Sequence, residues 1–291
     1  MNQSTNNIED LNPMIKKNML QKVGLSIINL HVIISRKLDQ YLTWKPHEVE
    51  RYGRTFLVSG NLEYFFFWRY KSWERNTYRI FDTFIDKHHS YIDIGAFIGS
   101  TVLYGAQISK KTYALEPDPI AFRALKKNVE LNTDFKERIE IYRQCINDFT
   151  GEVRFGNMGC GGDTMSGLRF ADSKTSWTVD GITFDDFIKD HHITDCNFVK
   201  MDIEGGEVTV LPTMKQYLQD HKPVLYLSMH PPFFEHAIED TKKIVAILDI
   251  YKNIYDDDGS KIDVQDMLSV NKLKKFYAIV ATDNDWKVEK D

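Results

Sequence analysis

The chain reads as an α/β protein built on a mostly parallel, seven-stranded sheet with helices on both faces. Three observations predict this. From residue 90 onward, short apolar runs alternate with helical stretches, the rhythm of βαβ units. The first run ends in the glycine-rich turn YIDIGAFIGS, residues 91–100. The second ends in an acidic residue, Glu116, 23 positions after Asp93, where a bound nucleoside's ribose is read in such folds.

The elements follow in order. Residues 91–94, 112–116, 139–145, 197–202 and 224–229 are apolar and partly β-branched, as expected of strands buried on both faces. Residues 99–110, 118–131, 205–219 and 233–250 are expected to be the covering helices. The runs at 261–264 and 275–282 have no convincing helix between them, which predicts a closing antiparallel pair. Ahead of this domain, set at 80–291, residues 1–79 read as a helical and aromatic-rich extension. Within it, 1–13 is expected to be a disordered lead and 14–42 helical, and Pro46, Gly53 and Gly60 break the pattern over 45–60. Seven aromatics then crowd into 64–73; rings at this density usually build core, although they could also stack on sugars or bases.

Composition bounds the function. A net charge of −5 argues against a general nucleic-acid binder. The balance is uneven, with 13 Lys and Arg against 9 Asp and Glu in 1–89, and 24 against 33 in the rest. The front segment therefore has the charge to meet an acidic partner or membrane surface, or it could pair two copies of the chain. Cys145, Cys160 and Cys196 are odd in number and show no CxxC spacing. With the polar start MNQSTNNIEDLNP, this gives a cytoplasmic protein as the expectation. The apolar run 23–34 includes Asn29 and His31 and is too short to span a bilayer.

The turn after the first strand carries the ligand question. Gly95 and Gly99 let the backbone bend tightly and let a bulky ligand approach. The spacing is GxxxG with Phe97 between, and not the GxGxxG that seats a dinucleotide pyrophosphate on a helix N-terminus. Asp93 just before it is poorly placed for a pyrophosphate but suits an ammonium or sulfonium. That pattern favours S-adenosyl-L-methionine over NAD.

Five stretches, taken together, resemble the FkbM family of S-adenosylmethionine-dependent methyltransferases. They are WERNT (73–77), YIDIGAFIGS (91–100), LEPDPIAFRALKKNVELN (115–132), ITFDDFI (182–188) and FVKMDIEGGE (198–207). The resemblance implies a Rossmann-like, class I methyltransferase fold and O-methylation of a hydroxyl, on a sugar of a glycan, glycolipid or nucleotide-sugar or on another small molecule. Carried residue by residue, it implies a cofactor loop of Asp93, Gly95, Ala96, Phe97, Gly99 and Ser100. It also implies a ribose acid at Glu116, followed by Pro117 and Asp118, and adenine neighbours at Asn147 and Asp148. A methyltransferase for a protein or small metabolite, and a cofactor-binding protein without catalysis, share the same motifs.

The catalytic candidates are at the carboxyl ends of two strands. KMDIEGGE delivers Lys200, Asp202 and Glu204; a carboxylate there could take the acceptor's proton, orient its hydroxyl or contact the cofactor, and Lys200 could fix it by pairing. Glu207 stands in the first helical turn, where the dipole favours an acid. YLSMHPP delivers His230 to the same edge, where its ordinary pKa suits a general base. The family more often has an acid one or two positions earlier, where this chain has Ser228 and Met229. Asp93, Asp202, Glu204 and His230 could gather round a divalent cation, but no HxH, HxxxH or HExxH spacing indicates one, so no metal ligand is assigned. GNMGCGGDTMSG (156–167) is expected to be a mobile loop near the pocket, and YDDDGS (255–260) to be a turn.

Overall fold

The computed structural model of the protein describes residues 45–59, 75–157, 162 and 166–286. The expected helix at 14–42, the aromatic cluster at 64–73 and Cys160 lie outside these residues. From Pro46 onward the described residues belong to one compact unit. It opens with a hairpin, β1 (His47–Arg51) and β2 (Arg54–Val58), closed by Tyr52 and Gly53, both at positive φ, as a two-residue hairpin turn requires. Helix α1 (Arg75–Phe84) follows, then β3 (Ser90–Ile94), α2 (Ser100–Gly105), β4 (Lys111–Leu115), α3 (Pro119–Leu131) and β5 (Ile139–Tyr142). A run of four strands comes next: β6 (Gln144–Ile146), β7 (Gly151–Asn157), β8 (Ser166–Gly167) and β9 (Thr175–Ile182). Alternation then resumes with α4 (Phe184–Asp190), β10 (Cys196–Met201), α5 (Glu207–Val210), α6 (Lys215–His221), β11 (Val224–Met229) and α7 (Ala237–Leu248). The chain closes with β12 (Asn253–Asp256), β13 (Lys261–Ile262), α8 (Val270–Leu273) and β14 (Tyr277–Thr282).

The main sheet has eight strands in the order β13-β12-β14-β11-β10-β3-β4-β5. Five of them, β3, β4, β5, β10 and β11, run parallel, and β14 is antiparallel to β11. Strand parity assigns the faces. Ile92, Ile94, Val199, Met201, Leu225 and Leu227 point into a core shared with α4 through α7. Their neighbours Tyr91, Phe198 and Tyr226 point the other way, the two rings onto Phe81 of α1 and the Tyr226 hydroxyl to Thr77. The alternating rhythm thus predicts the fold class correctly, with both faces covered.

Four expectations need correction. The sheet has an eighth strand: NIYD, Asn253–Asp256, is short and runs into three aspartates, so it reads as part of the turn. The closing pair is different, because β14 inserts between β11 and β12, and β13 pairs with β12 instead. The run 139–145 breaks at Arg143 into β5, which pairs with β4, and β6, which pairs with β9 in a separate four-stranded sheet. Helix 205–219 is segmented by a 3₁₀ turn, Leu211–Met214, because Pro212 has no N–H to continue the ladder.

The hairpin is held by two asparagines one turn apart. Asn132 accepts from Leu57 N at 2.8 Å and donates to Leu57 O at 2.7 Å, standing in for a neighbouring strand. Asn128 accepts from Ser59 N at 2.8 Å and donates to Ile98 O at 2.9 Å. Among the described residues no helix is long and apolar enough to cross a membrane.

Candidate active site

β3 lies between β4 and β10. From it the chain builds outward to β4 and β5 on one side, and later to β10 and β11 on the other. Such a reversal opens a crevice at the carboxyl ends of the strands. A cavity of about 430 Å³ is found there, lined among others by Gly95, Phe97, Glu116, Asp202, Glu204 and His230. The two sides meet backbone to backbone. Gly95 has φ +88°, and a Cβ on it would lie 1.9 Å from the carbonyl oxygen of Asp202. Only glycine permits that approach.

Glu116 forms one wall. It is 6% exposed and accepts from Phe97 N at 2.7 Å and Asp118 N at 2.8 Å. Burial pushes its carboxyl up to about 8, against the opposing pull of those two N–H groups. Beneath the cavity is a buried ion pair. Lys200 donates to Asp93 at 3.1 Å and to the carbonyl of Gly95 at 3.2 Å. Tyr91 and Thr101 also donate to Asp93, which has no exposed surface. This network fixes the turn from below.

The opposite wall is acidic. Asp202, at the end of β10, is 31% exposed at its side chain. Glu204 follows at φ +53°, a left-handed conformation unusual for a side-chain-bearing residue. His230, at the end of β11, is buried; its Nε2 lies 3.6 Å from Asp202 and 3.7 Å from Glu204. Its Nδ1 is 2.8 Å from Glu207 Oε1. A carboxylate oxygen only accepts, so Nδ1 carries the hydrogen. Burial works to lower the pKa of His230, but Glu207, Asp202 and Glu204 outweigh it and raise it to about 9.

Residues 93–255 match the model of the methyltransferase FkbM domain. The chain belongs to the FkbM methyltransferase family. Among solved structures, the FkbM methyltransferase from Methylobacillus flagellatus is similar at 21% identity and TM-score 0.44, over 66% of this chain and 43% of that one. The chain thus spans less than half of that protein's length. An rRNA methylase from Streptococcus thermophilus overlaps at 10% identity and TM-score 0.40, over 71% and 93% of the two chains. A precorrin 8W decarboxylase from Methanobacterium thermoautotrophicum overlaps at 12% and 0.38, over 71% and 86%. No curated protein matches.

In this member of the FkbM family, Gly95, Ala96, Phe97, Ser100, Glu116, Pro117, Lys200, Asp202, Glu204 and His230 come together around one cavity. Five other residues singled out from the sequence are outside its wall. Asp93 is fully buried beside Lys200, and Gly99 caps α2 at positive φ, facing Leu125 of α3. Asp118 caps α3 and accepts from Gly162 N and Ser166 Oγ. Asn147 is buried and Asp148 exposed, both at the end of β6. Of the glycine-rich stretch, Ser166 reaches the cavity. Sequence reasoning missed Tyr91 and Thr101 as supports of Asp93, and the Glu207 contact to His230. The first two were detectable in principle, since a buried aspartate needs donors. Phe276 and Tyr277 also line the cavity, and no local pattern announces them.

Proposed function

We propose that this protein transfers a methyl group from S-adenosyl-L-methionine to a hydroxyl of a small acceptor, a sugar of a glycan, glycolipid or nucleotide-sugar being favoured. The observation that carries the reading is the cavity itself, with a ribose-type acid on one wall and paired carboxylates with a histidine on the other. The donor set fits the cofactor. Glu116 presents carboxylate oxygens to a vicinal diol, and the Gly95 turn keeps side chains clear of the crevice. When bound, S-adenosyl-L-methionine supplies an electrophilic methyl carried on a sulfonium.

The chain's own residues do the remainder. Lys200 and Asp93 hold the turn and β10 at a fixed separation, so the two walls are positioned before the ligands arrive. Asp202 and Glu204 face the cavity and accept the hydrogen of the acceptor hydroxyl as its oxygen becomes nucleophilic. Glu207 orients His230 behind them. Phe276, which lines the cavity beside His230 and packs on Phe233 at a centroid distance of 4.8 Å, gives the acceptor side an apolar platform for a sugar face.

The reading is tested by incubating the protein with the cofactor and a panel of sugar acceptors and following methylated product by mass spectrometry. Asp202→Asn and Glu204→Gln are expected to lower kcat by about 10²–10⁴ while S-adenosylhomocysteine still binds. Product formation at the full rate in both variants would remove them from the mechanism. Absence of product with every hydroxyl acceptor would overturn O-methylation.

A further inference from the structure

Arg169 is exposed, yet its side chain is held in one place. It belongs to the 3₁₀ turn Leu168–Phe170, between β8 and β9. That turn is seated closely on β7, since a Cβ on Gly156 would lie 1.9 Å from the carbonyl oxygen of Phe170. The guanidinium carbon of Arg169 lies 4.8 Å from the ring centroid of Phe170 and 4.2 Å from that of Phe233. Both rings attract the cation through their π faces. Among the described residues the guanidinium has neither an ion pair nor a side-chain hydrogen bond.

Phe233 fixes where that cation stands. It closes the 3₁₀ turn Pro231–Phe233, directly after His230 at the end of β11. On one side it packs against Gly205, where an added Cβ would lie 3.1 Å from the Cβ of Phe233, and Gly205 follows Glu204 of the acidic wall. On the other it meets Phe276, at a centroid distance of 4.8 Å. Phe276 lines the cavity and is 50% exposed. Ser166, three residues before Arg169, lines the cavity as well. Arg169 therefore stands at the mouth, beside the wall that carries Asp202 and Glu204. Lys274 and Lys275, just before Phe276, are exposed and have no ion pair among the described residues. The mouth is thus positive where the interior wall is acidic.

A guanidinium stacked on its face keeps its N–H groups free at the edge of the plane. That fork matches the two oxygens of a carboxylate or phosphate. Inside the cavity an oxyanion would meet Asp202 and Glu204, which repel it. An acceptor that carries both an oxyanion and a hydroxyl is thereby oriented, with its charge at the mouth and its hydroxyl toward the carboxylates. We propose that Arg169 forms an oxyanion subsite for the acceptor, whose class is a sugar or other polyol bearing a phosphate or a carboxylate. The inference deepens the methyltransferase reading and rests on it for the role of the hydroxyl.

The subsite is tested on the full chain by calorimetric titration of glucose-1-phosphate, glucuronate and glucose at one ionic strength. S-adenosylhomocysteine is titrated into every variant, and urea unfolding checks that each is folded. At least one of the two anionic sugars is expected to bind at least about tenfold tighter than glucose, and which one does so names the oxyanion. Arg169→Gln is expected to remove that preference. Arg169→Lys is expected to keep only part of it, because an ammonium lacks the fork. Both variants are expected to bind S-adenosylhomocysteine as the wild type does. Glucose binding as tightly as both anionic sugars, no binding of either anionic sugar, or a preference that Arg169→Gln retains would each overturn the subsite. So would a loss of S-adenosylhomocysteine affinity in folded Arg169→Gln, which assigns the guanidinium to the cofactor's own carboxylate. If an anionic sugar binds through Arg169 and S-adenosylhomocysteine does not bind the wild type, the subsite stands and the methyltransferase reading falls.

Discussion

Glu116 shows how one side chain can couple ligand binding to pH. Its folded pKa, about 8, lies above the ordinary carboxylate range. Its stabilising contribution is therefore complete at low pH and is lost as pH rises through about 8, because ionising it in place works against burial. Ribose hydroxyls donate to the ionised form, so cofactor binding at pH 7 is expected to release a proton. Calorimetry in two buffers of different ionisation enthalpy reads this directly, and Glu116→Gln is expected to abolish the difference. Lys200 makes the opposite case. Lys200→Met leaves the Asp93 carboxylate buried without its cation and is expected to cost about 3–5 kcal/mol, measured by urea unfolding. At this scale the sequence was informative about residue types and poor about partners. Asp93, Glu116, Asp202, Glu204 and His230 were all legible as strand-end polar groups. Asp93 nevertheless faces Lys200 rather than the cavity, because strand parity directs it to the α1–α2 side with Tyr91. Glu207 reads from sequence as a helix-dipole acid, and its contact to His230 depends on β11 lying beside β10, which no local pattern encodes.

At the scale of elements, the hairpin β1–β2 and the helix α3 hold one another through side chains that imitate backbone. Asn132 satisfies both the N–H and the C=O of Leu57. Asn132→Ala leaves these groups without that partner and is expected to cost about 1–3 kcal/mol, with amide exchange at Leu57 accelerated ahead of the sheet. A loss spread evenly over all amides would contradict local anchoring. The helices and parallel strands were readable because an apolar run and its period are local properties. The second sheet was not readable, because β6 and β8 are only 3 and 2 residues long and β6 continues the run of β5 after a single break at Arg143. Pairing decided those strands, and pairing is long-range.

For the whole molecule, the central feature is that the β3–β10 reversal gathers two walls, one from each half of the sheet, around one cavity. The described residues lining it lie between Gly95 and Tyr277. The fold class was legible early because rhythm is a property of the whole chain, and family membership rests on the match over residues 93–255. The acceptor was not legible, since its wall is assembled from strand ends and loops far apart in sequence. The most direct test of the account is calorimetric titration of S-adenosylmethionine, S-adenosylhomocysteine and NAD into the full chain, with Glu116→Ala alongside. The account predicts that both sulfur nucleosides bind, that NAD does not, and that the substitution weakens both. Binding of NAD alone, or of neither sulfur nucleoside, would contradict it.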